Sequence, residues 1–410
     1  MRQPHRRDRF VQSIVLVAVG LAGSAVLDKI LALQGNATAV AEWAQLSGAA
    51  AVVSGASLSG MGVALTALAA GSGRQERLEW LKPALVACTA LSLAVGLVGL
   101  PILLLAAPSL VPRHDAWLLP AAIAAAVTGI SPGVWTAYLR GTGELVRASV
   151  VTILATLPAV VLVLWSPLHP LSLNLLVAQM LVGAMVTAGL AVALRGRPPV
   201  SRRAVSELLR FMPAGLSIGI LGPAALVWAR SEIAGSLDWH AVGQVQAIWR
   251  ASDWVTAIAA GLLNAYVLPR LGAARDRAAF LGELRASIAW IVLPAGAALG
   301  LLWWLLPEAL GVLYRADLGV TREDGTLFLL GDWMRIVSWV PLFGLFAFRA
   351  AWAIALGELL SLPLFAALLA LRAPAGLADV GLLWLLTYAA YALFNGWILR
   401  RRLSALPPAR

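Results

Sequence analysis

The sequence has few of the charged residues with which soluble proteins cover their surfaces. Only 12% of its 410 residues are charged, whereas 60% are hydrophobic, and the mean hydropathy is +0.85. Because a soluble globular domain carries about 25% charged residues, this composition excludes that class. The sequence therefore predicts an all-α, polytopic integral membrane protein.

Cysteine and histidine are also scarce. The single cysteine, Cys88, lies within an apolar run, so no internal disulfide bond is available and we expect its thiol to serve packing. The four histidines, His5, His114, His169 and His240, fall at or outside predicted helix ends. No metal-ligand spacing or nucleophile motif is found, so we expect no metal site, no catalytic residue and no cofactor.

The formal net charge of +11 has two possible explanations. It would suit a nucleic-acid partner if the basic residues were gathered on one soluble face. They are instead spread over short loops between apolar runs, which points to membrane topology and away from nucleic acid.

Twelve apolar runs are long enough to cross a bilayer, which takes about 20 residues of helix. The runs cover residues 11–34, 38–70, 80–107, 116–138, 145–166, 171–194, 209–233, 240–268, 281–306, 326–347, 351–371 and 377–399. The second run contains the glycine-rich stretch SGASLSGMG, which is also compatible with two short helices. Two helices there would invert the sidedness of every later loop.

The distribution of lysine and arginine favours twelve helices with both termini in the cytoplasm. With that topology 21 basic residues lie on the cytoplasmic side and four lie on the opposite side. Since positively charged loops stay cytoplasmic, splitting the second run would place most of them on the wrong side.

The chain also divides into two similar halves. The polar interval GRPPVSRRAVSE follows the sixth run, and AVAEWAQL at 39–46 aligns with AVGQVQAI at 241–248. We predict an N-lobe over residues 1–195, a cytoplasmic linker over 196–208 and a C-lobe over 209–410. Six helices per lobe imply parallel repeats with a cavity between them.

Charged residues inside the predicted helices are few and clustered. Gln246, Arg250 and Asp253 are spaced i, i+4, i+7 on the eighth helix, so they share one face near mid-membrane. Asp332 and Arg335 repeat the pairing of acid and base on the tenth helix. Further charges lie on the first, seventh and eleventh helices: Asp28, Lys29, Arg230 and Glu358.

A charge at the centre of a membrane helix costs about 2.5–3.5 kcal/mol, so each needs a partner or a wet cavity. Because an arginine fork suits phosphate and carboxylate oxygens, we assign binding of a large anion to Arg250, Arg230, Lys29, Arg335 and Gln246. The acids Asp253, Asp332, Asp28 and Glu358 would tune these groups or take up a coupling proton or cation. The alternatives are internal ion pairs that only lower the cost of insertion and, for Lys29 and Arg230, snorkelling to the surface.

The motifs AVGQVQAIWRASDW, NAYVLPRL at 264–271 and LGDWMRIVSW at 330–339 resemble the Wzx-type flippases of O-antigen and enterobacterial common antigen. These belong to the multidrug/oligosaccharidyl-lipid/polysaccharide (MOP) exporter superfamily. The local motifs cover about 40 residues, and the twelve-helix plan covers the chain. This family would be expected to have an aromatic residue where this chain has Val245, and lysine where it has Arg335.

The resemblance implies a MATE-like fold in the bacterial inner membrane. It also implies movement of an undecaprenyl-diphosphate-linked oligosaccharide from the cytoplasmic to the periplasmic leaflet by alternating access. The partners would be that glycan, membrane lipids and, in the assembly pathway, a polymerase and a chain-length regulator. Coupling to a proton or cation gradient stays open.

Two other functions are alternatives for a helical membrane protein of this kind. A multidrug or cation antiporter of the same superfamily would be expected to hold unpaired carboxylates in its cavity, whereas here the bases match or outnumber the acids. A membrane-bound polysaccharide polymerase or ligase would be expected to carry a large periplasmic loop, and the longest outer interval, 307–325, is short. We therefore expect a transporter rather than an enzyme.

Overall fold

The computed structural model describes residues 6–71, 77–110, 117–165, 171–196, 200–210, 212, 216–274, 276–314, 318–348 and 350–404. Every regular element within these ranges is helical, which confirms the predicted all-α class. The chain forms two compact units, Met1–Ser231 and Glu232–Arg410. The predicted lobe boundaries stay a prediction.

Unit 1 is built from long apolar helices. They are α1 (Arg6–Ser57), α2 (Val63–Gly71), α3 (Arg77–Leu110), α4 (Leu118–Thr128), α5 (Ile130–Thr142), α6 (Leu145–Trp165), α7 (Leu171–Ala193), α8 (Arg202–Leu209) and α9 (Gly222–Ser236), the last of which continues into unit 2. Short π-helical turns, Leu58–Gly62 and Ser217–Leu221, precede α2 and α9.

Unit 2 holds the second set of helices. They are α10 (Trp239–Leu262), α11 (Leu268–Ala273), α12 (Arg277–Ser287), α13 (Leu293–Trp304), α14 (Leu306–Leu313), α15 (Arg322–Ala347), α16 (Ala351–Leu359), α17 (Leu362–Arg372) and α18 (Leu377–Leu403). The helices α15 and α18 pack against each other along much of their length.

A sharp kink at Asn36 divides α1 into the first two predicted runs. Asn36 has φ 73° and ψ −172°, and its side-chain Oδ1 accepts a hydrogen bond of 2.8 Å from the backbone N–H of Thr38. Asparagine tolerates positive φ better than most residues, and its short side chain caps the following turn. The second run then continues as one candidate span, Asn36–Ala69, rather than as two short helices.

Nine helical segments within the described ranges are long and apolar enough to span a membrane. They are Asn36–Ala69, Leu78–Gly99, Leu118–Thr142, Leu145–Leu162, Leu171–Ala193, Arg277–Trp304, Arg322–Ala347, Trp352–Arg372 and Leu377–Leu403. The first, seventh and eighth predicted runs are not among them. The seventh includes residues outside the described ranges, and the eighth, on α10, carries several polar side chains, so the count of twelve stays a prediction.

The cores of the two units differ in composition. Small and aliphatic side chains dominate the core of unit 1, where Met61, Leu65 and Ile130 are fully buried. Cys88 belongs to this cluster, which confirms its predicted packing role. Unit 2 instead contains a group of aromatic rings around Trp384 on α18.

Candidate functional site

The polar face predicted on the eighth helix is present on α10. Asp238 caps the start of this helix, and its carboxylate accepts a hydrogen bond of 2.7 Å from the backbone N–H of Ala241. Gln246 is buried, whereas the side chains of Arg250 and Asp253 are 31% and 34% exposed. Arg250 Nη1 lies 3.7 Å from Asp253 Oδ2, so the two charges pair at a distance longer than a good hydrogen bond.

Asp332 on α15 is the most buried carboxylate of unit 2 among the predicted site residues, with 1% of its surface exposed. Ser252 Oγ on α10 donates a hydrogen bond of 2.5 Å to Oδ2, and Trp384 Nε1 on α18 donates one of 3.2 Å to Oδ1. A buried charge is tolerated only when hydrogen bonds replace its hydration. Asp332 therefore ties three helices together.

A glycine beside Asp332 makes the approach of Trp384 possible. A Cβ atom built on Gly331 would lie 2.3 Å from Trp384 Cδ1, closer than two carbon atoms can approach. Because Gly331 has no side chain, the indole ring reaches the backbone of α15 and its N–H reaches Asp332. The packing of Trp384 against α15 therefore explains why a glycine precedes Asp332 in this motif.

Arg335 lies one turn further along α15, over two aromatic rings. Its Cζ atom is 5.1 Å from the ring centroid of Trp339 and 5.7 Å from that of Tyr388, both within cation–π range. Its Nη1 is 3.9 Å from Asp332 Oδ1, and 27% of its side chain is exposed. The predicted pair of Asp332 and Arg335 is present, but the closer partners of the carboxylate are Ser252 and Trp384.

Glu358 is joined to the same region through a row of aromatic residues on α18. Trp384, Tyr388 and Tyr391 follow each other at i, i+4, i+7, with neighbouring ring centroids 4.8 Å and 6.3 Å apart. The Tyr391 hydroxyl donates a hydrogen bond of 2.8 Å to Glu358 Oε1. Through this row of rings, Glu358 at one end is connected to Asp332 at the other, since Trp384 donates to the Asp332 carboxylate.

In unit 1, Arg230 makes a structural contact. Its Nη1 donates a hydrogen bond of 3.0 Å to the carbonyl of Ala44, and the residue is 7% exposed. Beside it, Gln45 Nε2 donates to the carbonyl of Val227 at 2.9 Å and to Ser231 Oγ at 3.0 Å. These bonds join α1 to α9 within unit 1. The predicted substrate contact of Arg230 stays a prediction.

The other two predicted site charges of unit 1, Asp28 and Lys29, lie on α1. Asp28 is buried and Lys29 is partly buried, both before the kink at Asn36. After the kink, Glu42 is 6% exposed and accepts a hydrogen bond from the hydroxyl of Ser172 on α7. The predicted roles of Asp28 and Lys29 in substrate binding and coupling stay predictions.

Unit 1 also contains a cavity that the sequence reasoning missed. Its volume is about 640 Å³, and α1, α2 and α4 to α7 contribute to its walls. Among the described residues that line it, Arg140 is the one with a formal charge and none is a carboxylate. The sequence does contain a pattern that indicates this space. Small residues recur at i, i+3, i+4, i+7 and so cover one face of α1: Ser47, Ala50, Ala51 and Ser54.

The structure thus pairs Arg250 with Asp253 and Arg335 with Asp332 in unit 2, and it gives Arg230 a backbone partner in unit 1. The residues of this network that were not predicted as site residues include Ser252, Trp384, Tyr388 and Tyr391. Within the described ranges, no group of three or more histidine, cysteine or acidic side chains is arranged to hold a metal ion. The convergence of both halves on one chamber stays a prediction.

Comparison with known proteins shows the fold. The sequence matches no family model and no curated protein. Among solved structures, an inward-facing multidrug resistance MATE family transporter of the MOP superfamily is 16% identical, with a TM-score of 0.74, over 96% of this chain and 95% of that chain. A MATE in complex with MaL6 is 14% identical, with a TM-score of 0.68, over 98% and 97% of the two chains.

A third similar structure is a MOP superfamily transporter from Pyrococcus furiosus, for which a binding pocket of reverse polarity suggests a different function. It is 15% identical, with a TM-score of 0.67, over 98% of this chain and 96% of that chain. At these identities the likeness shows the fold and not the substrate. The chain has the MATE-like fold of multi-pass membrane transporters, which confirms that part of the sequence prediction.

Proposed function

We propose that this protein is a flippase that moves an undecaprenyl-diphosphate-linked oligosaccharide from the cytoplasmic to the periplasmic leaflet of a bacterial inner membrane. The fold is that of a transporter, and alternating access would carry the polar head across while the polyprenyl chain stays in lipid. This proposal involves no enzymatic step and no cofactor.

The main observation in support of this proposal is the arrangement of Arg335. Its side chain is 27% exposed, and its guanidinium lies over Trp339 and Tyr388 and approaches Asp332 no closer than 3.9 Å. Meanwhile Ser252 and Trp384 already hydrogen-bond both oxygens of Asp332. The carboxylate is therefore held by other donors, and the guanidinium fork keeps donor capacity for an incoming oxyanion.

Phosphate oxygens suit such a fork better than most ligands, because two parallel N–H···O bonds form at once. Arg250 supports the same assignment, since its side chain is also partly exposed. Together with Gln246, these groups would recognise the diphosphate. The acids Asp253, Asp332, Asp28 and Glu358 would restore charge balance when the substrate leaves, or would bind a coupling proton or cation.

A multidrug or cation antiporter is the second candidate. The observation in its favour is Asp253, a carboxylate that is 34% exposed and would attract a cationic compound. One of the similar structures is also a multidrug resistance transporter. Against it, the cavity of unit 1 is lined by Arg140 and by no carboxylate, a polarity that does not suit a cationic drug.

The test is transport by the purified protein in liposomes. The substrate is an undecaprenyl-diphosphate trisaccharide with a fluorophore on the sugar, and an impermeant quencher reports the fraction in the outer leaflet. We expect Arg335→Gln to slow movement at least tenfold, since a hydrogen bond to a charged group contributes about 1.5–3 kcal/mol. Arg322→Gln is the matched control, because Arg322 lies on the same helix in an exposed pair with Glu308.

A second arm measures uptake of the cation ethidium by the same liposomes. Movement of the glycan by the wild type, lost in Arg335→Gln and kept in Arg322→Gln, supports the flippase. Ethidium transport that needs Asp253, with no movement of the glycan, would establish the antiporter instead.

A further inference from the structure

The cavity of unit 1 has the size of a binding site for a small molecule. Its volume of about 640 Å³ falls within the range of about 300–1,000 Å³ that is usual for such sites. The space exists because the walls carry small residues, among them Ala51, Gly62, Gly129 and Ala137. None of the charged residues predicted from the sequence lines it.

The hydroxyl groups in its walls face the cavity mainly as hydrogen-bond acceptors. Ser47 Oγ donates its proton to the carbonyl of Ala44 at 3.1 Å, and Ser54 Oγ donates to that of Ala50 at 3.1 Å. A hydroxyl has one proton and two lone pairs. Once the proton is committed to the helix backbone, the lone pairs remain to accept a hydrogen bond.

Thr66 is arranged in the same way on α2. Its Oγ1 lies 2.9 Å from the carbonyl of Gly62 and 3.0 Å from that of Ala137 on α5, so its proton also serves the backbone. Three hydroxyl oxygens from two helices therefore offer acceptors to the same space. A ligand that suits them is rich in O–H or N–H donors.

The charge at the cavity is positive and confined to one place. Arg140, in the last turn of α5, is exposed, and it lies on the predicted cytoplasmic side of the membrane. The remaining polar lining is uncharged and includes the amide of Gln179. A carboxylate among Ser47, Ser54 and Thr66 would face three acceptor oxygens whose protons are already committed to the backbone, which is unfavourable.

We propose that this cavity binds the neutral sugar residues of the lipid-linked substrate, with sugar hydroxyls donating to Ser47, Ser54 and Thr66. Arg140 gives the phosphate oxygens a first contact as the substrate enters from the cytoplasmic leaflet, before Arg335 and Arg250 recognise the diphosphate. This inference rests on the proposed flippase function and narrows it, because glycans with acidic sugars in the first positions would be poor substrates.

Binding of free sugars to the full-length protein in detergent tests the proposal. The probes are the neutral trisaccharide N-acetylchitotriose and the acidic trisaccharide tri-galacturonic acid, followed by saturation-transfer NMR. We expect the neutral probe to bind at least tenfold more tightly. The double variant Ser47→Ala with Ser54→Ala should weaken its binding by about five- to fiftyfold, which corresponds to two neutral hydrogen bonds.

Thr128→Val is the matched control. The Thr128 hydroxyl also donates to a carbonyl of its own helix, that of Ala124 at 2.9 Å, but Thr128 does not line the cavity. Ala51→Phe fills the space without changing charge and should abolish binding. Thermal unfolding of the Ala51→Phe variant is measured as well, to show whether it folds. If it does not fold, the test rests on the serine double variant, which removes only two oxygen atoms.

Equal binding of the two probes, no loss in the serine double variant, or an equal loss in Thr128→Val would overturn the cavity proposal. The liposome assay separates this from the proposed function. Normal glycan movement by the serine double variant would reject the cavity and leave the flippase intact. Sugar binding that depends on the serines, without any movement of the glycan, would reject the flippase and leave the cavity.

Discussion

The two units of this protein differ in how their polar side chains are arranged. In unit 2, acids, arginines and aromatic rings pack into a network in which Asp332 is bonded by two donors and Arg335 lies over two rings. In unit 1, the described residues that line the cavity are small side chains, hydroxyls and one charged residue, Arg140. The sequence repeat predicts similar halves, so the difference shows that the two units use their polar side chains differently. Under the function proposed above, unit 2 recognises charge and unit 1 accommodates an uncharged part of the substrate.

The largest effect should follow from removing the buried acid of unit 2. In Asp332→Ala the Ser252 and Trp384 donors lose their acceptor and Arg335 loses its neighbouring charge. Breaking a buried pair costs about 3–5 kcal/mol, and we expect the lower end because Arg335 is 27% exposed. Thermal unfolding in detergent measures the change. The counterpart in unit 1, Arg140→Gln, should change stability by no more than about 0.5 kcal/mol, because Arg140 is exposed.

The next effect compares an arginine from each unit. Arg250→Ala should lower the rate at which the glycan reaches the periplasmic leaflet at least tenfold, without lowering protein abundance. Arg250→Lys separates charge from fork geometry, since a lysine supplies the first but not the second. Arg230→Ala should instead act through the lost bond to the Ala44 carbonyl and lower the unfolding temperature. Delivery that survives in Arg250→Ala would remove that residue from the site.

The smallest effect concerns packing. Gly331→Ala would place a Cβ atom against Trp384 and displace its ring from Asp332, at a cost of about 1–3 kcal/mol. Gly62→Ala in the cavity of unit 1 would meet its nearest atom, Ala137 Cβ, only at 3.8 Å and should be tolerated. Comparison of the two unfolding temperatures checks this. A Gly62 variant as unstable as the Gly331 variant would mean that unit 1 is packed as tightly as unit 2.

Much of unit 2 was predictable because its signals are local. Gln246, Arg250 and Asp253 share a face through helical spacing alone, and Asp332 with Arg335 is a contact between successive turns. The partners of Asp332 were not predictable in the same way. Ser252 and Trp384 are 80 and 52 residues away in sequence, and the hydrogen bonds depend on how three helices pack.

Unit 1 was harder to predict because its main feature is space rather than a side chain. The cavity arises where small residues of several helices meet, and no single helix reveals that their faces coincide. The bond from Arg230 to the Ala44 carbonyl also depends on packing, since it exists only where α9 packs on α1.

The sequence by itself determined that this chain is a helical membrane protein, where its apolar helices lie and which faces of them carry charge. These properties follow from composition and from the 3.6-residue period of a helix, which any stretch of chain expresses alone. Only the tertiary structure decided which donor holds Asp332, what Arg230 contacts and where a cavity opens. Those outcomes depend on contacts between residues far apart in the chain, which exist only after the helices have packed.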